Sequence, residues 1–398
     1  MAEPLVRLAW RPFRLPLARP LVTAQGALTE KRGWLLRLEA EGPGDSNLSA
    51  PSLNATIPGT PSLSITSPGA TGIGALSSGQ GAPACLGWGE AAPLCFTTAT
   101  AQERQRELAA AIRALGRALP RQALEASLPS LPPELAFALG LALAEADGLV
   151  GAAAGGWLAA PPSAVLLPAG EAAVAALAAA LDRPAEPLDR RAEPLGRTAA
   201  LPFTCKWKVA AAGDDAEREL LEQLLACLPA GSRLRLDANG GWDRATAWQW
   251  AERLADDPRL EWLEQPLAPA DLPGLQELAQ RVPVALDESL QHDPALRRHW
   301  PGWQVRRPAV EGDPRPLLAA LQQGGGGASA VVLSTAFETG IAQRLVGHLA
   351  ALQSRGATPA APGLAPGWSL ASGLCAADPV AVWQAAGVAL QHEGGHSL

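Results

Sequence analysis

The sequence predicts an α/β protein built around a (β/α) barrel with an α+β capping domain, the cap being made from the N-terminal segment and the C-terminal tail. Three observations carry that prediction. From about residue 163 the chain alternates short apolar runs with amphipathic segments, as in FTCKWKVA, DDAERELLEQLLACL, RLRLDANG and RATAWQWAERLA. The residues ending those runs, Lys208, Asp237, Glu264, Asp287, Arg307 and Ser334, stand 29, 27, 23, 20 and 27 residues apart, close to the roughly 30 residues that each unit of a barrel needs. In every unit the polar residue follows the apolar run, which puts it at the C-terminal mouth where barrel enzymes assemble their chemistry. An open doubly wound sheet would alternate in the same way but would not bring so many consecutive strand ends to one point.

A chain of 398 residues suits one large domain with a satellite. The expected division is a cap over residues 1–124, a barrel over 125–355 and a tail, 356–398, that returns to the cap. A formal charge of −7 from 32 basic and 39 acidic residues gives no basic footprint for nucleic acid. Five scattered cysteines, never in a CxxC spacing, point to reduced thiols in the cytoplasm. The first twenty residues break every apolar run with Arg or Pro, so neither a secretory leader nor a membrane span is expected there.

Within the cap, LVTAQGALTEKRGWLLRLEA (21–40) reads as a Gly-containing turn followed by a strand, and LGWGEAAPL (86–94) as its partner. Residues 41–84 between them are almost entirely Gly, Pro, Ser, Ala, Thr and Asn. That composition cannot bury enough apolar surface to offset chain entropy, so a disordered insertion in a hairpin is expected. Segments 101–119 and 132–148 carry apolar residues at three- and four-residue spacing and should form helices bridging cap and barrel. The first and eighth barrel strands are hard to place, because GATPAAPGLAPGW near the end shows no pattern.

Asp237, Glu264 and Asp287 each close a hydrophobic run, inside the strings DANGGW, EQP and DES. One such carboxylate can simply cap the next helix. Three in phase would repel one another unless a cation neutralised them, and hard oxygen ligands suit Mg²⁺. Lys206 and Lys208, one residue apart, face the same side of one strand. Near a metal, one ammonium can lose its proton and act as a base while the other stabilises negative charge; the competing reading is a surface pair on an edge strand. HEGGH (392–396) spells a zinc-protease pattern, but its glycines disfavour the helix that pattern needs. GGGG (324–327) precedes a strand and belongs at the barrel bottom rather than around a phosphate. The NLS and NAT triplets of the insertion are chance sequons in a cytosolic chain.

The strings KWK, LRLDANGGW, LEWLEQP and ALDES resemble the enolase superfamily, in its muconate-lactonizing subgroup. Within it, TAQGALTEKRGW, GWGEAAPL and VVLSTAFETGIAQ are similar to the o-succinylbenzoate synthases, and the resemblance covers nearly the whole chain apart from residues 41–84. It implies a small-molecule carboxylate substrate and a Mg²⁺ cofactor, with Mn²⁺ as a substitute. The implied reaction is syn dehydration of 2-succinyl-6-hydroxy-2,4-cyclohexadiene-1-carboxylate to o-succinylbenzoate, in menaquinone or phylloquinone biosynthesis. Lys208 would remove and return the proton while Lys206 supports the charge that develops. Arg235 would complete the polar site or pair with ligand carboxylates, Ser334 and Thr335 would hold the succinyl carboxylate or cap a helix, and the loop around Thr23 would form a specificity lid or a plain turn. One position departs from the family: Val305-Arg306-Arg307-Pro308 puts Arg307 where a lysine is expected. A guanidinium is no base but can hold positive charge over a π-face. Racemases need bases on both faces of a carbon, so Arg307 weakens the N-acylamino acid racemase or dipeptide epimerase alternative more than the synthase, and leaves open a non-catalytic metal-binding paralogue.

Overall fold

A computed structural model of the protein describes residues 4–40, 85–182, 201–324, 330–368 and 372–392. The expected disordered insertion at 41–84, most of GGGG and nearly all of HEGGH lie outside these residues.

The cap opens with two long strands, β1 (Leu5–Thr23) and β2 (Gly26–Ala40), joined by a two-residue turn. They are followed by β3 (Cys85–Ala91), helix α1 (Thr98–Leu115), the short β4 (Ala118–Pro120), α2 (Arg121–Ser127) and α3 (Pro133–Ala146). The sheet is antiparallel in the order β3-β2-β1-β4. The two runs read as partners do pair, Trp34 opposite Ala91 and Leu38 opposite Gly87. Inward residues Val6, Leu8, Trp34, Leu36 and Leu38 form a core with Leu108 and Ile112 of α1 and one side of α3.

Helix α3 differs from the amphipathic segment expected: eleven of its residues, Glu134 to Ala144, are buried. Leu135, Ala138, Leu139 and Ala142 pack on the cap, while Phe137, Leu141 and Ala144 pack on the barrel. A helix between two cores has no wet face to mark its period. Gly87 and Gly89 of β3 explain the closeness of its seat: a Cβ on either would fall 1.9 or 2.1 Å from the carbonyl oxygens of Ala142 and Ala138. Only glycine fits there.

The barrel sheet is parallel, seven strands in the order β11-β10-β9-β8-β7-β6-β5. They are β5 (Val165–Leu167), β6 (Thr204–Lys208), β7 (Arg233–Asp237), β8 (Leu260–Glu264), β9 (Val284–Leu286), β10 (Trp303–Arg306) and β11 (Val331–Leu333). Between and after them run α4 (Ala172–Leu181), α5 (Asp214–Cys227), α6 (Arg244–Leu254), α7 (Leu272–Leu278), α8 (Glu288–His292), α9 (Leu296–His299), α10 (Arg315–Gln322), α11 (Gly340–Gln353) and α12 (Pro379–His392).

The ring closes through the segment that showed no pattern. Gly363 bridges to Ser334 beyond β11, and the Pro362 carbonyl accepts the Ala164 N–H at the edge of β5 at 2.9 Å. Helix α12 then returns to the cap, where Val382, Trp383 and Ala386 join Phe13, Leu15 and Trp88. No helix among the described residues is long and apolar enough to cross a membrane.

Strand alternation sorts the barrel residues by face. Cys205, Trp207, Leu234, Leu236, Leu263 and Leu286 point outward into a core shared with the helices, with Trp207 edge-on to Trp250 of α6 at 6.5 Å. A buried Leu or Trp of this kind contributes about 1.5–3 kcal/mol, so outward facing is strongly specified. The alternate positions are thereby turned inward, and those at the strand ends carry the polar residues.

Candidate active site

Register lines up the mouth. Lys208 pairs with Asp237, and Asp237 with Glu264, so these side chains stand side by side at the strand ends. Asp287 follows β9 and Arg307 follows β10, and the Asp287 carboxylate joins those of Asp237 and Glu264 in one cluster. One layer below, Trp262, Ala285, Val305 and Val332 form an apolar floor.

The three carboxylates offer ligand oxygens within 4.8 Å of one another, and all three are buried. This donor set, hard, anionic and clustered, fits a divalent cation such as Mg²⁺. Cationic side chains of the protein compensate it: Lys206 Nζ lies 2.5 Å from Glu264 Oε1 and 2.6 Å from Asp237 Oδ2. Lys208 Nζ lies 2.6 Å from Asp237 Oδ2 and 2.9 Å from Asn239 Oδ1. On the other flank Arg307 Nε donates to both oxygens of Asp287, at 2.9 and 3.0 Å.

Crowding splits the acidities. Burial alone would raise Asp237, but the Lys206 and Lys208 ammonium groups hold it well below the usual carboxylate range. Asp287 is likewise lowered, the Arg307 guanidinium outweighing burial. Glu264 goes the other way, pushed up to about 7 by burial and by the neighbouring Asp237 charge. Burial and the Asp287 charge push Glu288 up to about 8. Burial would lower Lys206, but Asp237 and Glu264 reverse the effect and keep it protonated.

The backbone turns sharply at this rim. Ala210, Asn239, Gln265 and Phe337, each one to four residues beyond a barrel strand, have φ of 58, 46, 38 and 60°, a region that non-glycine residues seldom enter. Gln265 pins the turn after β9: its Oε1 accepts the N–H groups of Asp287 and Ser289 at 3.1 and 3.0 Å. The strings DAN, EQP and DES thus encode turn geometry as well as the clustered carboxylates.

The mouth opens into a pocket of about 720 Å³, counted to its open side. Lys206, Lys208, Arg307, Ser334 and Thr335 line it, as expected from sequence. Two expected contacts do not. Arg235 is turned inward but its guanidinium pairs with Glu261 at 2.6 Å and stacks over Trp262 at 4.0 Å, beneath the mouth rather than in it. The Thr23 hydroxyl accepts from Gln25 N at 3.1 Å and donates to the Gly26 carbonyl at 3.3 Å; it shapes the turn, and Gln25 reaches the pocket instead. Gln25 Nε2 donates to Glu288 Oε1 at 3.2 Å, which Asn239 Nδ2 also meets at 2.9 Å. Asn239 and Glu288 were missed as site residues, although each stands one or two positions after a ligand in a string already singled out. Phe96, Leu166 and Phe337 make the apolar side, and nothing local in the sequence marks them.

Residues 203–299 match the family model described as enolase C-terminal domain-like. Over 154 residues, 37% of this chain, the sequence is 42% identical to an o-succinylbenzoate synthase of Thermosynechococcus vestitus, and the match spans 48% of that relative. A hydrophobic dipeptide epimerase of a Flavobacteria bacterium is 34% identical over 100 residues, 24% of this chain and 28% of its own length. The chain therefore spans about half or less of the length of these curated relatives. The crystal structure of an o-succinylbenzoate synthase from Thermosynechococcus elongatus, with Mg in its active site, matches with a TM-score of 0.59 at 29% identity, over 91% of this chain and 94% of the other.

Proposed function

We propose that this chain, whose capped barrel is the fold of the enolase superfamily and which resembles its o-succinylbenzoate synthases, is a Mg²⁺-dependent dehydratase that converts 2-succinyl-6-hydroxy-2,4-cyclohexadiene-1-carboxylate to o-succinylbenzoate. The observation that carries this reading is the asymmetry of the mouth: two lysines flank the acidic triad on one side and a guanidinium on the other. A lysine amine is a usable general base, whereas a guanidinium paired to Asp287 is not.

Asp237, Glu264 and Asp287 would hold the ion. When bound, Mg²⁺ supplies positive charge against the substrate carboxylate, acidifying the adjacent C–H. Lys208 Nζ, at the strand end and facing the pocket, takes that proton; the electron pair of the broken C–H bond becomes the new ring double bond as the C–O bond breaks, and the hydroxyl leaves with the same proton as water. Lys206, kept charged by its two carboxylates, stabilises negative charge developing on the carboxylate oxygens. The Ser334 hydroxyl on the pocket wall would hold the succinyl carboxylate, the Thr335 hydroxyl being given to Glu338, and Phe96, Leu166 and Phe337 would exclude water around the ring. Syn elimination needs a base on one face alone, whereas an epimerase needs one on each.

The test is a paired assay with Mg²⁺: the cyclohexadiene substrate followed by ultraviolet absorbance, and L-Ala-L-Glu incubated in D₂O and followed by NMR. Aromatisation without deuterium incorporation is expected. Deuterated, epimerised dipeptide with no o-succinylbenzoate would replace this reading with the epimerase one.

A further inference from the structure

A pair of ionisable side chains lies outside the acidic cluster, on the face of the cap sheet that carries Leu35 and Trp88 and is turned to α11 and α12, opposite its core with α1 and α3. Lys31 of β2 and Glu90 of β3 are each 1% exposed, and Lys31 Nζ stands 3.4 Å from Glu90 Oε1. Neither atom has a hydrogen-bond partner among the described residues. As glue alone this is a poor device, since two apolar side chains of similar volume would hold a sheet at least as well without the desolvation penalty.

The other oxygen of Glu90 points across to the barrel. Its Oε2 accepts the Thr339 N–H at 2.7 Å and the Thr339 hydroxyl at 2.6 Å. Thr339 is the N-cap residue of α11, yet its hydroxyl makes no capping bond to its own helix; it is directed to the cap domain instead. The segment leading to it is tied internally. Glu338 accepts from Ala336 N at 2.6 Å and from the Thr335 hydroxyl at 2.5 Å, and Thr335 Oγ1 accepts Phe337 N at 2.7 Å, which holds Phe337 at its positive φ. Ser334, Thr335 and Phe337 form one wall of the pocket. The Thr335 carbonyl accepts Arg307 Nη1 at 2.7 Å, and Arg307 grips Asp287.

We infer that Glu90, oriented by Lys31, is a positioning residue. From the cap it fixes the 334–339 wall, and through Thr335 the seat of Arg307 on Asp287, so the binding shape of the mouth depends on how the cap is docked. This rests on the mouth being the binding site but not on which reaction runs there. From Glu90 of β3, hydrogen bonds and the 335–339 backbone run through Thr339, Glu338, Thr335 and Arg307 to the Asp287 carboxylate, the kind of contiguous network that can carry coupling.

Three variants test it. Lys31→Met/Glu90→Leu removes the charges and the acceptor; Lys31→Met/Glu90→Gln removes the charges but keeps a side-chain oxygen for Thr339; Thr339→Val keeps both charges and loses the hydroxyl. Amide hydrogen exchange of residues 334–339 is measured without ligand, and binding of o-succinylbenzoate with Mg²⁺ by calorimetry. The Leu double variant and Thr339→Val are expected to exchange faster at 336–339, with β1 and β2 unchanged, and to bind roughly 2–30-fold more weakly; the Gln double variant recovers most of both. Wild-type exchange in the folded Leu variant or in Thr339→Val, or no recovery with Gln, overturns the proposal. Failure of o-succinylbenzoate to bind the wild-type protein would sink the assigned reaction and leave the exchange arm to decide the clamp.

Discussion

Two residues along β7 separate Arg235 from Asp237, about 6–7 Å of strand, and that step moves a guanidinium from the mouth to the middle of the barrel. Side-chain period tells which face a residue takes and is silent about depth, so facing alone made Arg235 a substrate contact. Its partners are Glu261 and the Trp262 ring. Arg235→Met should therefore cost stability, roughly 3–5 kcal/mol as for a broken buried pair, in denaturant melts, while kcat/KM of the folded fraction stays within about threefold; a hundredfold loss in kcat/KM would return Arg235 to the site. Arg307 is the converse case. Its place at a strand end was legible, and its pairing with both oxygens of Asp287 explains why a guanidinium serves there. Arg307→Lys restores a titratable group on the second face. It is expected to introduce solvent deuterium into an N-acylamino acid that the parent leaves unlabelled, observable by mass spectrometry. Asn239 and Glu288 were within reach of a reading that asked what sits beside each ligand, whereas Phe96 and Phe337 become neighbours of the site only through the fold.

The elements were legible where one face meets water or helices and the other does not. Strands β6 and β7 alternate buried outward apolar residues with inward polar ones, and their period survives translation into structure. Helix α3 and the closing segment 360–364 lack that contrast. The helix is enclosed by two cores, and the segment joins the ring through Gly363 and Pro362 with almost no side chain to show a face. What the sequence does mark at the α3 seat is GWGE, for a steric reason. Gly89→Ala would set a methyl 2.1 Å from the Ala138 carbonyl oxygen, a backbone atom that cannot swing away. The expected cost is about 1–3 kcal/mol or more, seen as a lower thermal midpoint. Because α3 joins cap to barrel, protease sensitivity of the cap should rise with it. A wild-type midpoint for Gly89→Ala would mean that the cap sheet and α3 are not so closely seated.

For the whole molecule, the acidic mouth sets a dependence on pH and on metal. Asp237 and Asp287 have folded acidities lowered by their cationic neighbours, so their stabilising contribution is present above the unfolded range and lost on strong acidification. Glu264, pushed up to about 7, and Glu288, up to about 8, act with the opposite sign. Between their ordinary range and those values the folded state binds more protons than the unfolded one, so stability falls as pH rises. A divalent cation favours ionised Glu264 and offsets that loss. Mg²⁺ should accordingly raise the thermal midpoint more at pH 8 than at pH 6; an equal or reversed shift would mean that Glu264 is not among the groups the ion engages. Cap, barrel and tail are all needed to build the pocket, but the central claim lies at one atom, Lys208 Nζ beside the acidic triad proposed to hold the ion. The most direct test measures o-succinylbenzoate formation and Mg²⁺ affinity together in Lys208→Ala. The account predicts turnover reduced by about 10²–10⁴-fold with Mg²⁺ still bound within a few-fold of wild type; a variant that turns over at the wild-type rate would contradict it.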